Sequence, residues 1–380
     1  MLKKINLILI IAAIINFTAG AQNNSSGNNE ELDETIAPKY SNEFLAIGVG
    51  ARALGMSNAY VASVNDVTSA YWNPAGLNQV YCDRQVALMH SEYFAGIAKY
   101  DYAGLAAPID ATSTIAFSLI RFGVDDIPDT SELIDAEGNI HYDLIRSFSA
   151  ADYAFLFSYA KKTVSDTVTT WLKGLSYGAN VKVIHRKVGE FANAWGFGLD
   201  IGGQYVLGKW KFGAMARDIT STFNAWNFNT EKLEEVFTKT GNIIPENSLE
   251  ITLPKLILGA GRKVNISDKI FMYSELNLDV TFDGMRNVFI KSDPVSIDPH
   301  LGLEFGYAGI VFLRAGIGNI QKITDFDGTK STTLQPNMGV GVKIKFLTID
   351  YALTNIGQAV GLYSNVFSLK FDINRRERDN

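Results

Sequence analysis

The sequence is poor in the features that mark most enzymes and most secreted disulfide proteins. It holds one cysteine, Cys82, among 380 residues, which excludes an intrachain disulfide and makes a packing role the plainest one. Its four histidines, His90, His141, His185 and His300, are scattered, and no pair stands at metal-ligand spacing. Gly48-x-Gly50 and Gly259-x-Gly261 lack the third glycine of a dinucleotide-binding turn. Asp125-Asp126 and Asp325-Phe326-Asp327-Gly328 lack the distal glutamate of a calcium loop and read as solvated turns. Basic residues are not in excess, since the formal net charge is -6, which argues against a nucleic-acid partner. Proline is sparse at nine residues, and beyond the N-terminal segment no apolar run is long enough to cross a bilayer as a helix. Neither catalysis, nor a metal, nor a cofactor is expected.

The N-terminus has a recognisable layout. Lys3 and Lys4 precede an apolar stretch from Ile5 to Phe17, and small residues follow before Gln22. Charge, apolar run and small residues in that order make residues 1–21 a secretory signal peptide, too short in its apolar part to be a membrane anchor. Residues 22–43 begin with Asn, Ser, Gly and Glu and read as a flexible periplasmic segment.

Hydrophobic residues make up 47% of the chain, yet mean hydropathy is only +0.05. Alternation reconciles the two figures. Phe367, Leu369, Phe371 and Ile373 alternate with Ser368, Lys370 and Asp372; Met338, Val340, Val342 and Ile344 alternate with Gly339, Gly341 and Lys343. The same two-residue period recurs at 153–160, 195–202, 276–282, 301–307 and 347–354. It is the signature of strands with one apolar face and one polar or small face. A water-soluble sandwich has the same period, but here the second face is often Gly, Asn, Asp or Lys, which suits a barrel lumen.

Loop lengths sort by parity. Long connections are expected at 124–149 and 220–247 and moderate ones at 284–296 and 320–333, all after odd-numbered strands. Those after even-numbered strands are short, 163–170 excepted. Outer-membrane barrels pair short periplasmic turns with long outer loops, and an even strand number puts both ends of the barrel on the periplasmic side. The expected fold is an all-β transmembrane antiparallel barrel of about fourteen strands at 84–374, with a polar tail at 375–380. Its strands pair every backbone polar group and leave no edge in lipid.

Residues 44–83 break the rhythm. They are rich in Gly and Ala, too apolar for a free tail and too irregular for a strand, and are expected to form an N-terminal hatch inside the lumen. Arg52 stands out in this apolar setting, and a lumen carboxylate such as Asp279 or Glu304 would hold it. Asn73-Pro74-Ala75-Gly76 reads as a turn.

The string Gly50-Ala51-Arg52-Ala53-Leu54-Gly55-Met56, then Ala59-Tyr60-Val61-Ala62, Asp66 and Tyr71-Trp72-Asn73-Pro74-Ala75-Gly76-Leu77, resembles the start of the PorV/PorQ family, part of the FadL-like group of outer-membrane barrels. Ser57-Asn58 departs from the glycines usual there, and the ending Val366-Phe367-Ser368-Leu369 lacks a His-Arg common in that family. The resemblance implies a bacterial outer-membrane protein that is no enzyme. It further implies binding, through the outer loops, to the channel and cargo proteins of a type IX secretion system. Phe223, Trp226 and Phe228, expected on the 220–247 loop, are the candidate contacts for such partners. The alternatives are a FadL-like channel for hydrophobic small molecules and a plain structural barrel.

Overall fold

The structure is a computed structural model and describes residues 41–135, 138–163, 174–240, 248–324, 329–355 and 363–375. The expected signal peptide, most of the 22–43 segment, the Asp325–Gly328 turn and the residues past 375 lie outside the described residues.

Among the described residues, sixteen strands follow one another along the chain. The first six are β1 (Cys82–Tyr93), β2 (Ala98–Pro108), β3 (Ser113–Asp129), β4 (Arg146–Lys162), β5 (Leu175–Val188) and β6 (Ala192–Leu207). Four shorter ones follow: β7 (Trp210–Arg217), β8 (Thr222–Phe228), β9 (Leu249–Thr252) and β10 (Lys255–Asn265). The last six are β11 (Ile270–Thr281), β12 (Ser296–Tyr307), β13 (Val311–Thr324), β14 (Lys330–Ile344), β15 (Leu347–Thr354) and β16 (Ser364–Arg375). All neighbours are antiparallel. β16 pairs with β1, and β5 pairs with β6, so the sheet closes. β7 and β8 are two halves of one interrupted stave, and so are β9 and β10, which makes a closed barrel of fourteen staves.

The connections sort to two ends. Short turns at 109–112, 208–209, 266–269, 308–310 and 345–346 lie at the end where β1 starts and β16 stops. Longer ones at 130–145, 229–248 and 282–295 lie at the other. β3 and β4 run further into the long-loop end than expected, so the connection foreseen at 124–149 shrinks to 130–145. Asp125 is accordingly a strand residue, paired with Lys99 at 3.0 Å.

The outer wall is apolar. Leu88, Leu105, Phe117, Phe157, Phe197, Leu301 and Leu369 all point out of the sheet. The lumen is filled by residues 41–80, which form two short helices, α1 (Ala51–Gly55) and α2 (Ser69–Trp72), and a 3-10 turn over Pro74–Gln79. Most of this segment is fully buried. Lumen-facing glycines make room for it. A Cβ at Gly178 would stand 2.7 Å from the Pro74 backbone, and one at Gly302 would stand 2.8 Å from Met56. Gly213 and Gly259 face Val61 in the same way, Gly316 faces Met56, and Gly339 lies against Gly55. The glycines on the strands' second face are therefore the seat of the hatch.

The segment also runs opposite to expectation at its start. The Ser41 hydroxyl donates to Glu250 at 2.5 Å, the Asn42 amide donates to Thr252 at 2.7 Å, and Glu43 reaches Arg286 at 3.5 Å. These partners belong to the long-loop end. Residues 41–43 thus lie at the long-loop end of the barrel. The chain traverses the lumen from the long-loop end and leaves at the short-turn end into β1.

Candidate functional site

Three groups of residues define the interior. The first is the hatch string. Gly50 takes φ +87°, a left-handed conformation natural to glycine, just before α1, and its N–H approaches the Met89 sulfur at 2.9 Å. Arg52 finds Glu304 rather than Asp279. Its guanidinium grips that carboxylate with two N–H groups, at 2.8 and 2.9 Å, and lies over the Tyr60 ring. Glu304 also accepts from Arg314 at 2.7 Å, and Arg314 bonds Asp350 at 2.7 Å. Gly55 packs on Gly339. The Asn73 side chain accepts from the Ala75 N–H at 3.2 Å and donates to the Val61 and Gly203 carbonyls at 3.1 and 3.0 Å. Pro74 opens the following turn, where its missing N–H costs nothing. At Gly76 a Cβ would overlap Val64 and Ser69.

A second ion pair joins hatch and wall. Lys370 donates to Asp66 at 2.8 Å, and Thr68 donates to the other Asp66 oxygen. Burial opposes the charge on Asp66, but Lys370 and Thr68 outweigh it and hold the carboxyl down to about 2.

The second group lies in the wall. Ile201 pairs with Ala216 and Phe197 with Phe223, so the β7–β8 side carries three more residues than β6 between those pairs. The surplus, around Asp218–Ser221, bulges the stave. Asp218 and Ser221 both take positive φ. The bulge is tied from within. Buried Lys182 donates to Asp200 at 3.1 Å and to Asp218, and Asp200 accepts from the Asp218 N–H at 2.8 Å. One backbone bond crosses the break, from the Ile219 N–H to the Leu199 carbonyl at 2.9 Å. On the lipid side a groove of about 530 Å³, lined by Leu105, Phe117, Phe157, Val181 and Leu199, runs up to Ile219.

The third group is two vestibules separated by the hatch. One, of about 660 Å³, opens at the long-loop end and is bordered by Arg217, Asp218, Asp279 and His300. The other, of about 920 Å³, opens at the short-turn end, bordered by Arg52, Lys211, Lys263, Glu304 and Lys370.

Phe223, Trp226 and Phe228 require a correction. They are not loop residues but lie on β8, where Phe223 faces outward among other lipid-side aromatics. Trp226 is half-buried, donates its indole N–H to Glu250 at 2.8 Å and lies under Arg186. Phe223, Ala225 and Asn227 face out and Asn224, Trp226 and Phe228 face in, so polarity does not alternate and the sequence carried no strand signal here. Lys182 and Asp200 were visible only as charged residues on lumen-facing positions of adjacent strands. Asp218 gave no signal.

No family model matches the chain, and no curated protein matches it in sequence. Solved structures do match its shape. The CymD monoaromatic hydrocarbon channel superposes with a TM-score of 0.53 at 13% identity, covering 87% of this chain and 99% of its own. The Ralstonia pickettii toluene transporter TbuX gives 0.50 at 13% identity, covering 86% and 99%. The P. putida toluene transporter TodX gives 0.50 at 15% identity, again covering 86% and 99%. These channels overturn the secretion-partner expectation drawn from the hatch string, as does the loss of its supposed contact loop to a strand. The chain has the FadL-like barrel fold that these hydrocarbon channels share.

Proposed function

We propose that this chain is a channel of the bacterial outer membrane for hydrophobic small molecules, and that its solutes cross the barrel wall at the β6 to β7–β8 break. The long-loop end then faces outward and the short-turn end faces the periplasm. The break carries the reading. It is the point where a lipid-side apolar groove, a bulge crossed by one backbone bond and the outer vestibule meet. Its likeness in fold to the monoaromatic hydrocarbon channel CymD and the toluene transporters TbuX and TodX supports it. The PorV/PorQ-like string is a fold signature in this reading, since those proteins belong to the same barrel group. No catalytic residue is needed, and the expected surroundings are outer-membrane lipid.

Leu199 and Ile219 are joined across the break by their backbone bond, so Leu199→Cys and Ile219→Cys offer a reversible lock. Uptake of toluene by cells expressing the double variant should fall when the pair is oxidised and return on reduction. Uptake indifferent to the redox state, with the crosslink shown by mass spectrometry, would rule out passage at this break.

A further inference from the structure

The two mouths of the lumen differ in charge. The vestibule at the long-loop end is bordered by five carboxylates, those of Glu43, Asp218, Asp279, Asp283 and Asp298, against the cations Arg217, Lys255 and Arg286. The vestibule at the short-turn end is bordered by six cations against the carboxylates Glu304, Asp350 and Asp372. Arg52 and Arg314 are paired with Glu304, Lys343 with Asp372 at 3.5 Å, and Lys370 with Asp66 at 2.8 Å. Lys263 has no ion pair among the described residues, and its ammonium lies 4.3 Å from the centre of the Phe271 ring. Lys209, Lys269 and Lys345, on the turns around this mouth, have no ion pair among the described residues either. One carboxylate, Asp268, stands in those three turns.

These lysines share one continuous rim. The Lys263 N–H donates to the Lys209 carbonyl at 3.1 Å, the Ala308 N–H to the Lys269 carbonyl at 2.6 Å, and the Lys343 N–H to the Ile310 carbonyl at 2.8 Å. The rim crosses neighbouring strands from β7 through β10, β11, β12 and β13 to β14. At about 4.8 Å per strand its charges are spread over roughly 24 Å. A small anion reaches one or two of them. An extended peptide, rising about 3.3 Å per residue, spans the arc with roughly seven or eight residues. Phospholipid headgroups lie outside the wall, whereas Lys263 lines the vestibule together with Phe271 and Phe312. The hatch floors this vestibule, so what enters it docks and does not pass.

We propose that the β7–β14 side of the short-turn mouth docks an extended acidic segment of a periplasmic protein, with carboxylates on the rim lysines and apolar side chains on Phe271 and Phe312. From the channel reading this takes only the orientation that puts the short turns in the periplasm.

The test uses the full chain in nanodiscs of phosphatidylcholine, which has no net charge, and fluorescence anisotropy. The probes are a labelled peptide of about ten residues alternating glutamate with alanine, the same peptide with lysine for glutamate, and free glutamate as competitor. The acidic peptide should bind about tenfold more tightly than the basic one, and added salt should weaken it by screening. Lys263→Gln, Lys269→Gln and Lys345→Gln together should cost about tenfold, while Lys161→Gln, on the lipid side of β4, should stay within about twofold. Heat-modifiable gel mobility checks folding. If the triple variant fails it, Lys345→Gln alone, on an exposed turn, should still cost about threefold. No binding, binding unchanged by these substitutions, or equal binding of the basic peptide overturns the proposal. Free glutamate competing as tightly as the peptide would make the mouth a small-anion site and overturn it too. So would loss of peptide binding when phosphatidylglycerol replaces the neutral lipid, which would assign the lysines to headgroups. Toluene uptake should be the same in the triple variant and wild type, so failure here leaves the channel reading standing.

Discussion

Arg52 and Glu304 meet across the gap between hatch and wall, and both are shared with larger networks. Glu304 has a side chain 3% exposed and serves two guanidiniums, those of Arg52 and Arg314. Glu304→Gln leaves Arg52 without its carboxylate and Arg314 with Asp350 alone. Breaking a buried pair in this way costs roughly 3–5 kcal/mol, more than the pair's own net worth, because a charge is left stranded. The urea midpoint of the purified barrel should drop accordingly, and a midpoint within experimental error of wild type would show that the network adds little. Asp66 adds a pH dependence of known sign. Its carboxyl sits at about 2 in the folded chain against an ordinary 3.8. A carboxyl lowered by folding contributes stability above its unfolded value and loses it as pH falls toward its folded one. Pepsin cleavage within 41–80 should therefore accelerate between about pH 4 and about pH 2. Lys370→Met should move the onset upward, toward the ordinary carboxylate range. An identical profile in the variant would exclude the ion pair as the cause.

At the scale of elements, the strands were legible and their breaks were not. The two-residue period of Phe367 to Ile373 or Met338 to Ile344 follows from one face in lipid and one in the lumen, so burial writes it into the sequence. The break at Asp218–Ser221 leaves no such trace, because Asp and Ser in left-handed turns look like ordinary loop residues. That is why Phe223, Trp226 and Phe228 read as a loop. The hatch string was legible as an interruption, while its partners were scattered single glycines on six distant strands. Those glycines make a prediction. Gly302→Val places two methyls where Met56 lies, at a position whose Cβ alone would already be 2.8 Å from it. The barrel should still fold, since the outer face and the ladder of β12 are untouched. The hatch should lose its seat, so single-channel conductance should rise. Unchanged conductance in a folded variant would mean that the hatch accommodates the extra bulk.

Across the whole molecule, a single register row marks where the wall meets the interface nearer the long loops. Tyr351, Phe367, His90, Asp101, Arg121, Tyr153, His185 and Trp195 pair in succession around eight strands, all on the lipid side. Aromatic and charged residues together suit the headgroup level. Four residues nearer the short turns, about 13 Å along a strand, the row Leu105, Phe117, Phe157, Val181 and Leu199 is wholly apolar. The groove beside the break therefore lies in hydrocarbon, and the charged row lies toward the long loops. In the channel reading the long-loop end is outside, and that sets the direction of the hatch. Ser41 to Glu43 lie at that outer end, whereas Tyr81 stands at the opposite one, just before β1. Both residues are open to solvent, Glu43 with 44% of its side chain exposed and Tyr81 with 40% of the whole residue. In a Cys82→Ala background, Glu43→Cys should react with a membrane-impermeant maleimide on intact cells. Tyr81→Cys should react only once the outer membrane is permeabilised. The reverse pattern would invert the barrel and place the vestibule next to Asp218 on the periplasmic side. Labelling of neither residue before permeabilisation would put both ends of the hatch there and contradict a chain that crosses the lumen from outside to inside.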